Sequence, residues 1–174
     1  MRRKSKKIKV LISEASLKKR MASLAKEIHQ ATRGQDLVVV GVLKGAFVFM
    51  SDLIRHLTQP VTCDFLRISS YDARGKPRQL RLEFDLTQPI ANKHVLVVED
   101  IVDTGSSLQF IREHLLSKKP KSLKICALLK KETEKMTPVE FIGFTIKNLY
   151  VVGYGMDLNG QYRHLPYLGY LAPK

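Results

Sequence analysis

Three stretches of this chain are apolar without alternation: Leu37-Val38-Val39-Val40-Gly41-Val42, His94-Val95-Leu96-Val97-Val98, and the run from Leu123 to Leu129. A strand with one wet face alternates apolar and polar residues, so these segments read as strands buried on both faces. Helical spacing fills the gaps between them, over 46–57 and again near 106–117. Ahead of the first strand, Leu17, Met21, Leu24, Ile28 and Ala31 recur at helical intervals, with Ser13 placed as N-cap and Gly34 as stop. Buried strands separated by helices predict an α/β fold, a mainly parallel central sheet flanked by helices. The 174 residues show no repeat or linker and fit a single domain over 1–174. In such sheets ligands bind beyond the carboxyl ends of the strands.

Charge narrows the partners. The net charge is +14, and six of the basic residues lie between Arg2 and Lys9 without an acid, so the remainder carries +8 of it. A basic arm over 1–9 on a moderately basic body suits a polyphosphate substrate, or a solvated tail. No zinc-finger spacing, helix-turn-helix signal or RNA-recognition aromatic motif accompanies the charge, so nucleic acid is not the expected partner. Residues 8–14 are too short and too charged for the apolar core of a secretory signal, and no run approaches a membrane span. The expected location is cytoplasmic, with no membrane partner. Cys63 and Cys126 lie in apparent strands without metal-ligand spacing, and both are expected to be buried thiols.

The most informative segment follows the second buried strand: Glu99-Asp100-Ile101-Val102-Asp103-Thr104-Gly105-Ser106-Ser107-Leu108. Adjacent carboxylates at the end of an apolar strand would cost several kcal/mol if desolvated and unpaired. They must face a cleft and meet cations or hydroxyls. Three residues on, a small-residue loop opens a helix, offering backbone N–H groups, hydroxyls and the helix dipole to a phosphate. Carboxylates for sugar hydroxyls or Mg²⁺, beside a phosphate nest, describe a phosphorylated ribose. The plainer alternative is that Asp103 or Ser106 caps the helix while Glu99 and Asp100 are solvated turn residues.

This segment resembles the phosphoribosyl-pyrophosphate signature of the type I phosphoribosyltransferases, closest to the hypoxanthine/guanine branch. The likeness runs in order over nearly the whole chain after residue 35. It implies that branch's fold, with a small hood built from the N- and C-terminal segments. It implies that Glu99 and Asp100 address the ribose hydroxyls and their Mg²⁺, that Asp103 is the acid/base at purine N7, and that residues 104–108 cradle the 5′-phosphate.

Other stations gain meaning only through the same resemblance. Gly41-Val42-Leu43-Lys44-Gly45 lacks Walker spacing and alone reads as a turn with a solvated lysine. The resemblance makes Leu43, Lys44 and Gly45 a pyrophosphate loop whose Leu43–Lys44 bond can be cis. Residues 69–80 form a long polar stretch, which the resemblance makes a mobile active-site loop carrying Ser70 and Tyr71. Lys131, preferred over Lys130 by register, becomes the donor to purine O6. Tyr150, where phenylalanine is usual, stacks on the base, and the Val151 backbone bonds its edge. Asp157 serves the base region and a second Mg²⁺, and Arg163 contacts pyrophosphate.

The implied activity is transfer of the phosphoribosyl group from phosphoribosyl pyrophosphate to hypoxanthine or guanine in purine salvage, by a homodimer or homotetramer with Mg²⁺ as cofactor. Two alternatives stay open: a nucleotide- and RNA-binding regulator with the same fold, and a xanthine-preferring transferase.

Overall fold

A computed structural model of the chain describes residues 8–33, 35–71, 77–132 and 138–171, with side chains omitted at 70, 71 and 77–79. The elements run β1 (Ile8–Ile12), α1 (Glu14–Thr32), β2 (Leu37–Leu43), α2 (Phe47–Ile54), β3 (Val61–Tyr71), β4 (Pro77–Phe84), β5 (His94–Val102), α3 (Ser106–Ser117), β6 (Ser122–Lys131), β7 (Phe141–Ile146), β8 (Val151–Val152) and β9 (Leu168–Leu171). The main sheet has the order β4-β3-β2-β5-β6-β7, with every neighbouring pair parallel except β3 with β4.

The absence of alternation has a direct cause. Val38, Val40, Val95, Val97 and Ile125 enter one core against Leu108, Ile111 and Leu115 of α3. Val39, Leu96, Val98 and Cys126 enter the other, against Leu17, Leu24 and Ile28 of α1 and Phe49 and Leu53 of α2. Each fully buried Val, Leu or Ile side chain contributes about 1.5–3 kcal/mol, so both faces of the central strands must be apolar.

Ser13 caps α1, its side chain accepting from the Ser16 N–H at 3.2 Å. The helix ends on Arg33 in the left-handed region at φ 45°, and Gly34 lies outside the described residues. Ala25 and Thr32, not Ala31, complete the buried stripe. Helix α2 stops at Ile54, three residues short of expectation, because the His56 and Leu57 N–H groups turn back to Leu53 and Ile54.

Three expectations change. Ile8 and Lys9 belong to β1, not to a free arm, and pair antiparallel with Leu171 and Tyr170; residues 1–7 lie outside the described residues. Together β1, β9 and β8 make a second three-stranded sheet, the hood contributed by both ends of the chain. The 69–80 stretch is largely a ribbon: Ser69 pairs with Arg81 and Tyr71 with Pro77, while 72–76 lie outside the described residues. Cys63 is exposed, because it sits on β3 upstream of Arg67, where pairing with β4 begins; Cys126 is buried as expected.

Candidate active site

Strand β5 carries its apolar run directly into the acid pair, whose two members open onto different cavities. Glu99 lines a narrow cavity of about 80 Å³ with Asp103, Thr104, Gly105 and Ser107. Asp100 lines a wider cleft of about 290 Å³ with Gly45, Lys131, Tyr150, Asp157 and Arg163. Burial pushes the Glu99 carboxyl well above the usual range, and the adjacent Asp100 charge pushes it further. Asp100 is raised by burial too, opposed by its contact with Glu99, by the Ile101 N–H at 2.8 Å and by Arg163. Glu99 Oε2 is buried without a hydrogen-bond partner.

Two glycines set the spacing around Asp100. A Cβ on Gly45 would fall 1.5 Å from Asp100 Oδ2, so the carboxylate rests on bare backbone. Gly155, at φ +103°, lies against Gly45 in turn, and its Cβ would fall 2.2 Å from the Gly45 carbonyl oxygen. The Leu43–Lys44 peptide beside them is cis, and Lys44 is exposed.

The loop beyond β5 is an open helix start. Gly105, at φ 79°, is the N-cap of α3 and has no side chain with which to cap the first turn. The Thr104 and Ser106 hydroxyls stand 3.3 Å apart, and Leu108 anchors the loop in the core. Exposed first-turn N–H groups with hydroxyls beside them form an anion-binding concavity.

Strand β6 ends on Lys131, whose ammonium donates to Asp103 Oδ2 at 2.7 Å and to Asn148 Oδ1 at 2.9 Å. The register therefore turns Lys131 into the cleft, and Lys130 does not line it. Tyr150 is 55% exposed, and its hydroxyl donates to the Asp157 carbonyl at 3.0 Å; Val151 is buried in β8. Asp157 accepts from Arg163 Nη2 at 2.5 Å and from the Gly160 N–H at 2.6 Å. Arg163 also donates to the Gly155 carbonyl at 2.6 Å. Ser70 and Tyr71 lie on β3, their side chains outside the described ones.

Among the described residues, no group of three or more His, Cys, Asp or Glu side chains is gathered for a metal, so Glu99, Asp100 and Asp157 do not form one cage. Sequence reasoning missed Asn148 and Gly155. A lone Asn in a turn gives no signal, and Gly155 required knowing that another loop lies against it.

Comparison with known proteins decides the family. A sequence model of the phosphoribosyl transferase domain matches residues 12–159. The chain belongs to the phosphoribosyltransferase family. Within this family it is 45% identical over 167 residues to hypoxanthine phosphoribosyltransferase of Escherichia coli K12, covering 93% of this chain and 94% of that relative. Hypoxanthine-guanine phosphoribosyltransferase of Dictyostelium discoideum is 43% identical over 169 residues, covering 93% and 94%. A crystal structure of hypoxanthine-guanine phosphoribosyltransferase from Bacillus anthracis superposes with TM-score 0.89 at 40% identity, covering 95% of this chain and all of that one. The phosphoribosyltransferase fold thus spans the central sheet and the hood together.

Proposed function

We propose that this phosphoribosyltransferase transfers the 5-phosphoribosyl group from phosphoribosyl pyrophosphate to a 6-oxopurine, hypoxanthine or guanine, as a salvage enzyme. The observation that carries the choice of base is the contact between Asp103 and Lys131 at 2.7 Å. A 6-oxopurine presents a carbonyl O6 beside its N7–H, one acceptor next to one donor. An ammonium and a carboxylate side by side complement that edge. Adenine presents an amino group where O6 would be, and the ammonium opposes it.

In this reading the bond from ribose C1 to pyrophosphate breaks as a purine nitrogen attacks, and the N7 proton passes to Asp103. Lys131 holds O6, Tyr150 supplies the stacking face and the Val151 backbone bonds the base edge. The 5′-phosphate sits on residues 104–108, at the open start of α3. Lys44, the backbone of Leu43 and Gly45, and Arg163 hold the pyrophosphate. Ser70 and Tyr71, at the far end of β3, close over the site and exclude water.

Mg²⁺ suits the donors: hard carboxylate oxygens, one of them buried without a partner. Glu99 and Asp100 would help to hold one ion beside the ribose hydroxyls, and Asp157 would help to hold a second. Such an ion would supply charge neutralisation at the leaving group. A homodimer or homotetramer in the cytoplasm completes the reading.

The test is a panel of hypoxanthine, guanine, xanthine and adenine with phosphoribosyl pyrophosphate and Mg²⁺, followed by ultraviolet absorbance. Hypoxanthine or guanine turns over and adenine does not. Turnover of adenine alone, or of no base, would refute the proposal.

A further inference from the structure

Asn148 has no part in the chemistry described so far, yet the fold delivers it to the base cleft by construction. Lys131 pairs in register with Ile146 of β7, and the Glu132 N–H bonds the Ile146 carbonyl at 2.9 Å, locking the two strand ends together. Two residues later the Leu149 N–H bonds the Lys147 carbonyl at 2.8 Å, a three-residue turn with Asn148 at its centre. That turn brings Asn148 Oδ1 to 2.9 Å from Lys131 Nζ. An ammonium offers only donors, so the amide must present its oxygen.

Lys131 is therefore held from two loops, by the Asp103 carboxylate at 2.7 Å and the Asn148 amide at 2.9 Å. Its side chain is 12% exposed while that of Asp103 is 49% exposed, so the lysine is the sequestered member of the pair. Two of its three N–H bonds have directions fixed by these acceptors, which fixes the third as well. Without the amide, the ammonium keeps only the carboxylate and is free to turn about that one contact.

We propose that Asn148 is a positioning residue for base recognition: with Asp103 it fixes the orientation of the Lys131 ammonium and aims its remaining N–H at the purine carbonyl O6. The inference rests on the 6-oxopurine reading above.

The experiment compares wild type, Asn148→Ala and Asn148→Asp, with steady-state kinetics on hypoxanthine and competitive inhibition by unsubstituted purine, which lacks O6. For Asn148→Ala, KM for hypoxanthine should rise roughly 5- to 50-fold, less than the full worth of a hydrogen bond to a charged group because Lys131 keeps its contact with Asp103. KM for phosphoribosyl pyrophosphate, the inhibition constant of unsubstituted purine and Tm should stay within about twofold or a few degrees of wild type. Asn148→Asp keeps an acceptor and should restore KM for hypoxanthine to within about threefold of wild type. An unchanged hypoxanthine KM in Asn148→Ala overturns the proposal, as does equal weakening of unsubstituted purine or a parallel fall in Tm. If wild type turns over no 6-oxopurine, the parent reading fails and takes this one with it.

Discussion

At the end of β5 two carboxylates lie buried side by side, both held above the usual range by burial, and Glu99 Oε2 meets no partner. At the end of β6 an ammonium lies between a carboxylate and an amide, its charge answered by the chain itself. The β5 end of the site is thus electrostatically incomplete, and the β6 end is preassembled. An unpaired buried carboxylate is costly, and a cation or hydroxyl brought by a ligand relieves that cost. Under the proposed function, ribose and metal would be bound by completing a deficit, and the base by exchanging partners.

Removing the cation should break the incomplete half most severely. Excess EDTA is expected to lower turnover about 100-fold or more, since Lewis-acid charge stabilisation is worth several kcal/mol. Addition of Mg²⁺ restores it; full activity in EDTA would remove the metal from the mechanism.

Next comes Asp103→Asn, which breaks the preassembled half at its proton acceptor. General acid–base catalysis is typically worth about 10²–10⁴-fold, and kcat should fall at least about tenfold. Because Asp103 is half-exposed and asparagine is nearly isosteric with it, Tm and KM for phosphoribosyl pyrophosphate should change little. Near-wild-type turnover would sink the acid/base role.

Lys131→Ala removes the other member. KM for the base should rise roughly 10- to 150-fold, with KM for phosphoribosyl pyrophosphate nearly unchanged. Lys130→Ala should leave both alone, since Lys130 does not line the cleft. The opposite pattern would shift the base contact by one residue.

The smallest effect sharpens the contrast in stability. Glu99 has a raised folded-state pKa, so folding favours its protonated form and unfolding favours release of that proton. Its contribution is fully present below the ordinary glutamate value near 4.5 and is lost as pH rises from there through the folded value. Glu99→Gln does not titrate. In metal-free buffer its Tm should match wild type near pH 4 and exceed it by pH 8, by roughly 2–4 °C per kcal/mol relieved. A Tm advantage that stays constant with pH would show the carboxylate is not the source.

What could be read from the chain tracks how local the cause is. The buried strands and α3 follow from side chains within a few residues of one another, and α3 spans the expected 106–117. The acid pair was visible because polar residues ending an apolar strand demand a ligand. By contrast, β1 and β9 meet across the whole chain, Ile8 with Leu171, and four- or five-residue strands carry too little pattern to announce that pairing. The ribbon of β3 and β4 looked like a polar loop, since its residues lie at the sheet edge, where few apolar positions are needed. Asn148 gave no sign at all, because its partner Lys131 is 17 residues away and joined only through the β6–β7 register.

The stacked glycines bear on mutational robustness. At position 155 the obstacle to any side chain is the main chain of Gly45, which cannot move aside without carrying the turn after β2 with it. At position 45 the obstacle is the Asp100 carboxylate, which can swing away and leave the sheet intact. Drift at 155 would be eliminated as a folding defect. Drift at 45 would survive as a well-folded protein with Asp100 displaced, the kind of silent casualty that abundance screens pass and activity screens catch.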